Sequence, residues 1–245
     1  ESPTSYSGMT LVWSDEFDEN ALNSNNWTQE IGNGDNGWGN NELQYYKPDN
    51  TYFASSDYLI IEAKEESESG FDYTSSRMIT EGKQEFQYGR IDIRASLPEG
   101  QGLWPALWML GSNFRTSGWP VCGEIDIMEQ VGFQPNIVHG TVHYGSSFAQ
   151  RGSKSAFRTS PSGNEYSESF HVFSLVWEED HIEILVDDVK YLDVVPTDLG
   201  GQAWPYNQSF FFIFNVAIGG QWPGNPDAST VFPQRMIVDY VRVFQ

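Results

Sequence analysis

The chain has 245 residues, of which 34 are acidic and 13 basic, and its net charge is −21. Such a charge repels phosphate backbones and anionic bilayers, so we expect neither a nucleic-acid nor a membrane partner. A neutral polymer is indifferent to charge, and nine Trp with twelve Tyr supply flat rings that suit the apolar faces of sugars.

The length suits one all-β domain over residues 1–245, because no internal repeat or low-complexity linker separates a second one. Cys122 is the single cysteine, which excludes an intramolecular disulfide. No run reaches the roughly 18 apolar residues of a membrane span. The chain begins with glutamate, which is consistent with a trimmed precursor or a cloned catalytic module and permits an extracellular location. We expect a secreted, extracellular or cell-surface protein. We also expect a monomer.

Short runs of Val, Ile, Phe, Tyr and Trp between Gly, Pro, Asn, Asp and Ser recur along the chain, and this pattern predicts strands. The predicted strands cover residues 11–13, 58–63, 73–80, 86–95, 102–110, 123–130, 137–144, 170–177, 181–186, 190–192, 210–218 and 236–244. Residues 33–41 form a Gly- and Asn-rich loop around Trp38, and residues 145–169 are predicted to be a polar loop beside a groove. Two packed antiparallel sheets accommodate so many strands.

The segment 123–130, Gly-Glu-Ile-Asp-Ile-Met-Glu-Gln, interleaves three acids with apolar residues. Glu124 and Asp126 share one face of a strand, whereas the offset of five puts Glu129 on the other face, where an ionised carboxylate is costly. A β-bulge near Met128 would return Glu129 to the face of the other two. We therefore predict a bulged strand with three converging acids.

Crowded carboxylates repel one another, so the pKa of at least one of them rises. Glycoside hydrolysis uses this condition, because one carboxylate attacks the sugar while another, still protonated, protonates the leaving oxygen. Glu124 and Glu129 are the candidates for these roles, and Asp126 would tune one of them. A solvated strand edge and a cation site are the alternatives for the same three groups.

Aromatic and imidazole side chains surround this segment in the sequence. Trp104 and Trp108 lie on one face of a strand that is apolar on both faces, which taken alone favours the core over a sugar platform. His139 and His143 share a face of the next predicted strand, so one of them can reach the acids. Asn215 is a polar residue in an apolar strand and needs a hydrogen-bond partner.

The motif at 123–129, preceded by Leu-Trp-Pro-Ala-Leu-Trp-Met-Leu, resembles glycoside hydrolase family 16, specifically its bacterial laminarinases, which are endo-β-1,3-glucanases. The resemblance extends along nearly the whole chain, through residues 13–17, 42–46, 89–91, 214–220 and 238–243. It implies a β-jelly-roll of two curved antiparallel sheets with a concave cleft, and retention of anomeric configuration. This sequence has the longer, bulged form of the family's acidic strand.

Carried over residue by residue, the resemblance implies that Glu124 is the nucleophile, Asp126 the assisting acid and Glu129 the general acid/base. The mechanism that the resemblance implies needs no catalytic cofactor. The residues assigned to substrate binding in the cleft are Asn41, Arg77, Trp104, Trp108, Trp119, His143 and Asn215, and for the two tryptophans of the apolar strand this reverses the core interpretation.

A structural calcium ion on the convex side is common in the family. Its ligands here would be the carboxylate of Asp239 and the main-chain carbonyls of Glu16 and Asp57. Where Asp57 stands the family more often has glycine, but a backbone carbonyl does not depend on the side chain.

The resulting hypothesis is a retaining endo-β-1,3-glucanase that acts on laminarin-type glucans, which are neutral β-glucan polysaccharides. Within the same fold, mixed-linkage β-1,3-1,4-glucan or neutral agarose are alternative substrates, whereas a sulfated galactan would need a basic cleft. A non-catalytic glucan-binding module is the alternative from another class, and transglycosylation competes with hydrolysis in any retaining enzyme.

Overall fold

The computed structural model describes residues 2–54 and 57–245, which are mostly strand. In chain order the strands are β1 (Leu11–Asp15), β2 (Thr28–Gln29), β3 (Gln44–Tyr46), β4 (Thr51–Ala54), β5 (Tyr58–Glu68), β6 (Phe71–Ser75), β7 (Arg77–Ile79), β8 (Glu85–Phe86), β9 (Gly89–Ser96), β10 (Leu103–Gly111), β11 (Glu124–Glu129), β12 (Ile137–Gly145), β13 (Arg151–Thr159), β14 (His171–Glu178), β15 (His181–Val186), β16 (Val189–Val194), β17 (Phe210–Ile218) and β18 (Gln234–Phe244).

Helical segments in this part of the chain are short. They are α1 (Phe114–Ser117), a kinked π-type turn (Gly37–Asn41) and 3₁₀ turns at Pro48–Asn50, Phe148–Gln150 and Pro196–Leu199. Among the described residues no helix has the length and apolar character needed to cross a membrane.

The strands form two sheets. One has ten strands in the order β16-β15-β14-β9-β18-β5-β6-β3, with β1 beside β18 and β4 beside β5. The other has eight, in the order β13-β12-β11-β10-β17-β7-β2, with β8 beside β17. Neighbouring strands are antiparallel except β3 and β6, which are parallel. The prediction of an all-β jelly-roll sandwich is confirmed.

Strand β17 shows how the core is built, because all nine of its residues are buried. Phe210, Phe212 and Phe214 enter the main cluster between the sheets, which residues of both sheets form. Phe211 and Ile213 point to the other face of the sheet, into a small second cluster against which Trp108 and Trp119 pack. Burial of each such side chain contributes about 1.5–3 kcal/mol, which explains why the strand is apolar on both faces.

Three predictions about element boundaries are wrong. The predicted loop at 145–169 contains β13, a nine-residue strand at the edge of the eight-stranded sheet, where alternate residues are exposed. Its inward positions include Lys154 and Arg158, so no apolar period marks it in the sequence. The single strand predicted at 73–80 is two strands, β6 and β7, which belong to different sheets and are separated by Ser76. The single strand predicted at 86–95 is also divided, because β8 belongs to the eight-stranded sheet and β9 to the ten-stranded one.

Candidate active site

The predicted bulge is present in β11, between the flanking strands β10 and β12. Asp126 and Glu129 are three residues apart in β11, yet their β12 partners, Thr141 and His139, are only two apart. The ladder with β10 also skips one residue of β11, between Asp126 and Met128. The extra residue puts Glu129 on the face of Glu124 and Asp126.

The apolar residues of β11 turn to the opposite side. Ile125, Ile127 and Met128 are fully buried members of the main core. The acid face and the core face are therefore separated along the whole strand, although the acids are spaced irregularly. Without the bulge, the odd offset from Glu124 would put Glu129 on the buried face of the strand. The bulge removes this conflict.

Each acid has an identified neighbour. His143 Nε2 lies 3.2 Å from Asp126 Oδ2 and 3.6 Å from Glu124 Oε1. The indole N–H of Trp104 donates to Glu129 Oε1 at 3.0 Å. Both glutamates are partly accessible at the cleft surface, whereas Asp126 is 3% exposed. Asp126 thus lies at the base of the site between two reachable carboxyl groups.

Burial and mutual repulsion favour the neutral forms of the two glutamates. Burial, followed by the charge of Asp126, raises the pKa of Glu124 to about 8, although His143, Arg77 and a hydrogen bond from Trp119 oppose the rise. Burial and then Asp126 also raise the pKa of Glu129 well above its ordinary value, against the opposing effects of His143 and Trp104. Both groups can therefore hold a proton at a pH where an exposed glutamate cannot.

His143 is the counter-charge of the acids. Burial alone lowers the pKa of His143, but the contact with Asp126 at 3.2 Å and the nearby negative charges outweigh burial and raise it to about 10. The ligand atoms of Glu124, Asp126 and His143 lie within 4.8 Å of one another, as a metal site would require. A protonated imidazole has no lone pair for a metal, so the electrostatics favour an ion pair with the acids.

Arg77 lies on β7, three strands from β11 on the same face of the sheet as the acids, between two indole rings. Its guanidinium carbon is 4.4 Å from the ring centre of Trp38 and 5.0 Å from that of Trp108. Its Nε donates to Glu30 Oε2 at 2.5 Å. The guanidinium is thus fixed by stacking on two sides and by an ion pair at its edge.

Asn215 was predicted to bind substrate, but hydrogen bonds within the protein engage both ends of its amide. Its Oδ1 accepts from Trp108 Nε1 at 2.8 Å, and its Nδ2 donates to Tyr46 Oη at 3.1 Å. Its side chain is buried, with 6% of the residue exposed. Asn215 therefore orients the indole of Trp108, which is itself half-buried at the cleft surface.

A buried carboxylate that the sequence interpretation did not select anchors this network. Glu42 accepts from Gln44 Nε2 at 2.7 Å and from Tyr46 Oη at 3.4 Å on the same oxygen, and from Asn40 Nδ2 at 3.0 Å on the other. Burial raises the pKa of Glu42. The polar alternation Glu42, Gln44, Tyr46 in the sequence was the available signal.

The turn that carries Asn41 is tightly folded. A Cβ on Gly37 would lie 2.3 Å from the Glu42 nitrogen, and Gly37 has a positive φ of 58°, so only glycine fits. Asn41 is exposed at the end of the turn. The Gln221 N–H donates to the Asn40 carbonyl at 3.0 Å. Gln221 precedes Trp222, whose ring contacts that of Trp104, so the turn lies at the border of the cleft.

Trp119 and Trp222 flank the acids from two loops. The ring of Trp119 lies 6.0 Å from that of His143 and 5.7 Å from that of Phe148. The ring of Trp222 contacts that of Trp104 edge-on at 5.5 Å. Trp222 was placed only in a loop by the sequence interpretation, although its Gly-Gly-Gln-Trp-Pro-Gly setting after an apolar strand could have marked it.

The three predicted calcium ligands come from neighbouring segments of the other sheet. Strand β1 pairs with β18, and its last pair places Asp15 opposite Val241. Strand β5 pairs with another part of β18, and the pair nearest its start places Leu59 opposite Val238. Glu16 therefore follows β1, and Asp57 precedes β5, beside the part of β18 that carries Asp239. The carboxylate of Asp239 is paired with Arg94, so only part of it is free for a cation.

Two partly accessible carboxyl groups on one sheet face, with a buried third acid between them and indole rings around them, define a glycoside hydrolase. The sequence matches the family described as Glycosyl hydrolases family 16 over residues 20–242, and the chain belongs to that family.

Known relatives agree with this assignment. The chain is 42% identical to the beta-glucanase of Rhodothermus marinus, over 96% of this chain and 85% of that protein. It is 37% identical to the glucan endo-1,3-beta-glucosidase A1 of Niallia circulans over 97% of its own length, but spans 38% of that protein. Its fold superposes with a TM-score of 0.91 and 48% identity on the catalytic domain of an endo-1,3-beta-glucanase (laminarinase) from Thermotoga petrophila RKU-1, covering 97% of this chain and 98% of that one.

Proposed function

We propose that the chain is a retaining endo-β-1,3-glucanase that hydrolyses laminarin-type glucans. The observation that carries this proposal is the bulge in β11, which gives Glu124 and Glu129 a common face with Asp126 between them. The names of the Thermotoga and Niallia proteins support the β-1,3 linkage. The indole-lined cleft and the net charge of −21 support a neutral polymer.

In the first half of the reaction, the carboxylate of Glu124 attacks the anomeric carbon while the bond from that carbon to the glycosidic oxygen breaks. Glu129 donates its proton to the departing oxygen. The positive charge of His143, 3.6 Å from Glu124, opposes the rise in the pKa of that carboxyl and supports the choice of Glu124 as the group that ionises to attack. Glu129, whose pKa is raised by both other acids, is the group that retains a proton.

In the second half, Glu129 accepts a proton from a water molecule, whose oxygen attacks the anomeric carbon and displaces Glu124. Asp126 raises the pKa of both glutamates and holds His143 in place. A sugar hydroxyl can replace water at this step, so transglycosylation is a side reaction of the same machinery.

The walls of the cleft supply substrate contacts in this proposal. Trp104, Trp108 and Trp119 offer ring faces or edges to the sugar, and Arg77 and His143 offer N–H donors. Asn41 contributes from the rim. Asn215 acts through Trp108, because its own amide is already engaged.

The test is product analysis on laminarin, lichenan and agarose, with Glu124→Gln as the matched variant. We expect the parent enzyme to release oligosaccharides from laminarin with retained configuration, and the variant to bind laminarin without cleaving it. Preferential cleavage of lichenan or agarose would replace the substrate assignment. Binding without release of reducing ends by the parent would identify a non-catalytic module, and undiminished hydrolysis by the variant would overturn the role of Glu124.

We also propose a structural calcium ion at the gap between β1 and β5, held by Asp239 with the carbonyls of Glu16 and Asp57. The register of the three segments supports it, whereas the pairing of Asp239 with Arg94 limits the negative charge available. Calcium should raise the melting temperature of the parent and leave that of Asp239→Asn unchanged. Equal melting temperatures of the parent with calcium and with a chelator would exclude the site.

We propose that residues 1–245 act as one monomeric catalytic domain outside the cell, since a polysaccharide must be cut where it is met. The charge of −21 disfavours self-association. Light scattering measures the mass in solution, and fractionation of the source culture measures the location. A dimer mass or an activity confined to the cell interior would contradict these two proposals.

A further inference from the structure

One row of side chains crosses the eight-stranded sheet at right angles to its strands. Strand pairing places its members directly opposite one another on six successive strands, and all of them point to the cleft face. From β7 to β13 the row reads Arg77, Asn215, Ala106, Glu129, His139 and Phe157. Five inter-strand steps of about 4.8 Å give it a length of about 24 Å.

The end of this row on β13 is an exposed phenyl group. Phe157 is 63% exposed, and the other side chains on its face of β13 include Ser153 and Ser155. A single exposed apolar residue needs no explanation by itself. Phe157, however, continues the line of paired residues that passes through His139 and Glu129.

Aromatic contacts connect Phe157 to the acids. His139 lies between Phe157, at 6.1 Å between ring centres, and Trp222, at 5.0 Å in an edge-to-face arrangement. Trp222 contacts Trp104, whose N–H binds Glu129. Within the described residues, His139 Nε2 is buried and has no hydrogen-bond partner. Because that nitrogen is buried, His139 contributes its ring rather than a hydrogen bond, and the exposed ring of Phe157 suits the apolar face of a sugar.

We propose that Phe157, with His139 beside it, is an outer sugar-binding platform that extends the cleft over β13 for a β-glucan chain. The proposal rests on the function proposed above. Continuity with the cleft identifies the occupant, because a polymer that crosses Glu129 along this row reaches β13. Arg77 and Trp108 hold the opposite end of the row. The platform therefore contributes to long substrates and is beyond the reach of short ones.

The experiment compares kcat and KM of Phe157→Ala with those of the parent on laminari-oligosaccharides of increasing length and on laminarin. We expect KM for the longest substrates to rise roughly threefold to tenfold, as for the loss of one ring contact, with kcat retained. The shortest cleaved oligosaccharide should show no change. Phe157→Trp restores a flat ring and should restore KM.

Phe133→Ala is the matched control, because Phe133 is also an exposed phenyl group, at 47%, but lies in the turn between β11 and β12, outside the row. It should behave as the parent. Parent-like KM of Phe157→Ala at every length overturns the platform, and so does an equal loss at every length with an unchanged melting temperature. A parent enzyme inactive on all β-1,3-glucans signals instead that the proposed function itself has failed.

Discussion

Glu124 and Glu129 stand five positions apart in one strand and still face the same side of the sheet. In a regular strand an odd offset separates two side chains onto opposite faces. The pairing with each neighbouring strand skips one residue of β11 between Asp126 and Glu129. This single extra residue moves Glu129 to the face of Glu124. The two glutamates thereby share the repulsion of Asp126, and this relationship determines how the enzyme should respond to pH.

The first prediction concerns Asp126→Asn. Removal of this negative charge makes ionisation of its neighbours less costly, so the pKa values of Glu124 and Glu129 should both fall. The acid and basic limbs of the pH profile of kcat/KM should therefore both move to lower pH. His143→Gln removes a positive charge and should move both limbs to higher pH. Shifts of the two variants in the same direction would contradict this electrostatic account.

The second prediction concerns stability. The pKa of Glu124 is raised from 4.5 to about 8 in the folded protein, so the folded state favours the protonated carboxyl. This contribution is present below the unfolded value and is lost as pH rises through the folded one. Glu124→Gln cannot ionise, so its free energy of unfolding should exceed that of the parent by about 1–3 kcal/mol near pH 8.

Denaturant unfolding of both proteins at several pH values measures this difference, which should vanish under acid conditions. Glu179→Gln is the control, because Glu179 is an exposed carboxyl in the turn between β14 and β15. It should leave stability unchanged. A Glu124→Gln variant that is less stable than the parent near pH 8 would show that the carboxylate is stabilising in the folded state.

The third prediction concerns Tyr46→Phe. The lost hydroxyl group joins Asn215 Nδ2 to Glu42, so a buried amide and a buried carboxylate each lose a partner. We expect a stability loss of about 1–3 kcal/mol, and a severalfold rise in KM because Trp108 is less firmly oriented. The control is Tyr45→Phe, whose ring packs against Phe71 instead. Equal KM values in the two variants would show that this hydrogen-bond network does not contribute to substrate binding.

The fourth prediction concerns Arg77→Lys. An ammonium group keeps the charge but cannot stack flat between Trp38 and Trp108, so we expect KM to rise roughly threefold to tenfold. Arg235→Lys is the control, because Arg235 makes a similar single contact through Nε to Glu62 on the other sheet, at 2.6 Å against 2.5 Å for Arg77 and Glu30. Kinetics on laminarin distinguish them, and an unchanged KM for Arg77→Lys would exclude a role for the stacked guanidinium.

The acid strand could be predicted from the sequence because its signal is local. The offset of five between Glu124 and Glu129 conflicts with the apolar period of the isoleucines, and a single inserted residue resolves the conflict. The all-β class could be predicted for a similar reason. Apolar runs of strand length between turn residues can be recognised in the sequence without knowing which strands pair. These features depend on neighbours within a few positions.

The hydrogen-bond network and the edge strand could not be predicted, because their signals are not local. Tyr46 and Asn215 are 169 positions apart, and only the folded sheet brings them together. Strand β13 has an exposed edge and an exposed face, so burial imposes no apolar alternation on it. Asn215 was therefore selected for the cleft but not as the residue that orients Trp108, and Tyr46 was not selected at all.

Arg77 is the cation of the cleft row, and Glu30 already neutralises it while two indoles cover its faces. It can donate a hydrogen bond to a hydroxyl, but it has little attraction left for a sulfate or uronate group. Added salt, which screens exposed charges, should consequently leave affinity for a neutral glucan almost constant. For an esterified or acidic polymer it should instead relieve repulsion, so ionic strength becomes a simple discriminator between polysaccharide classes.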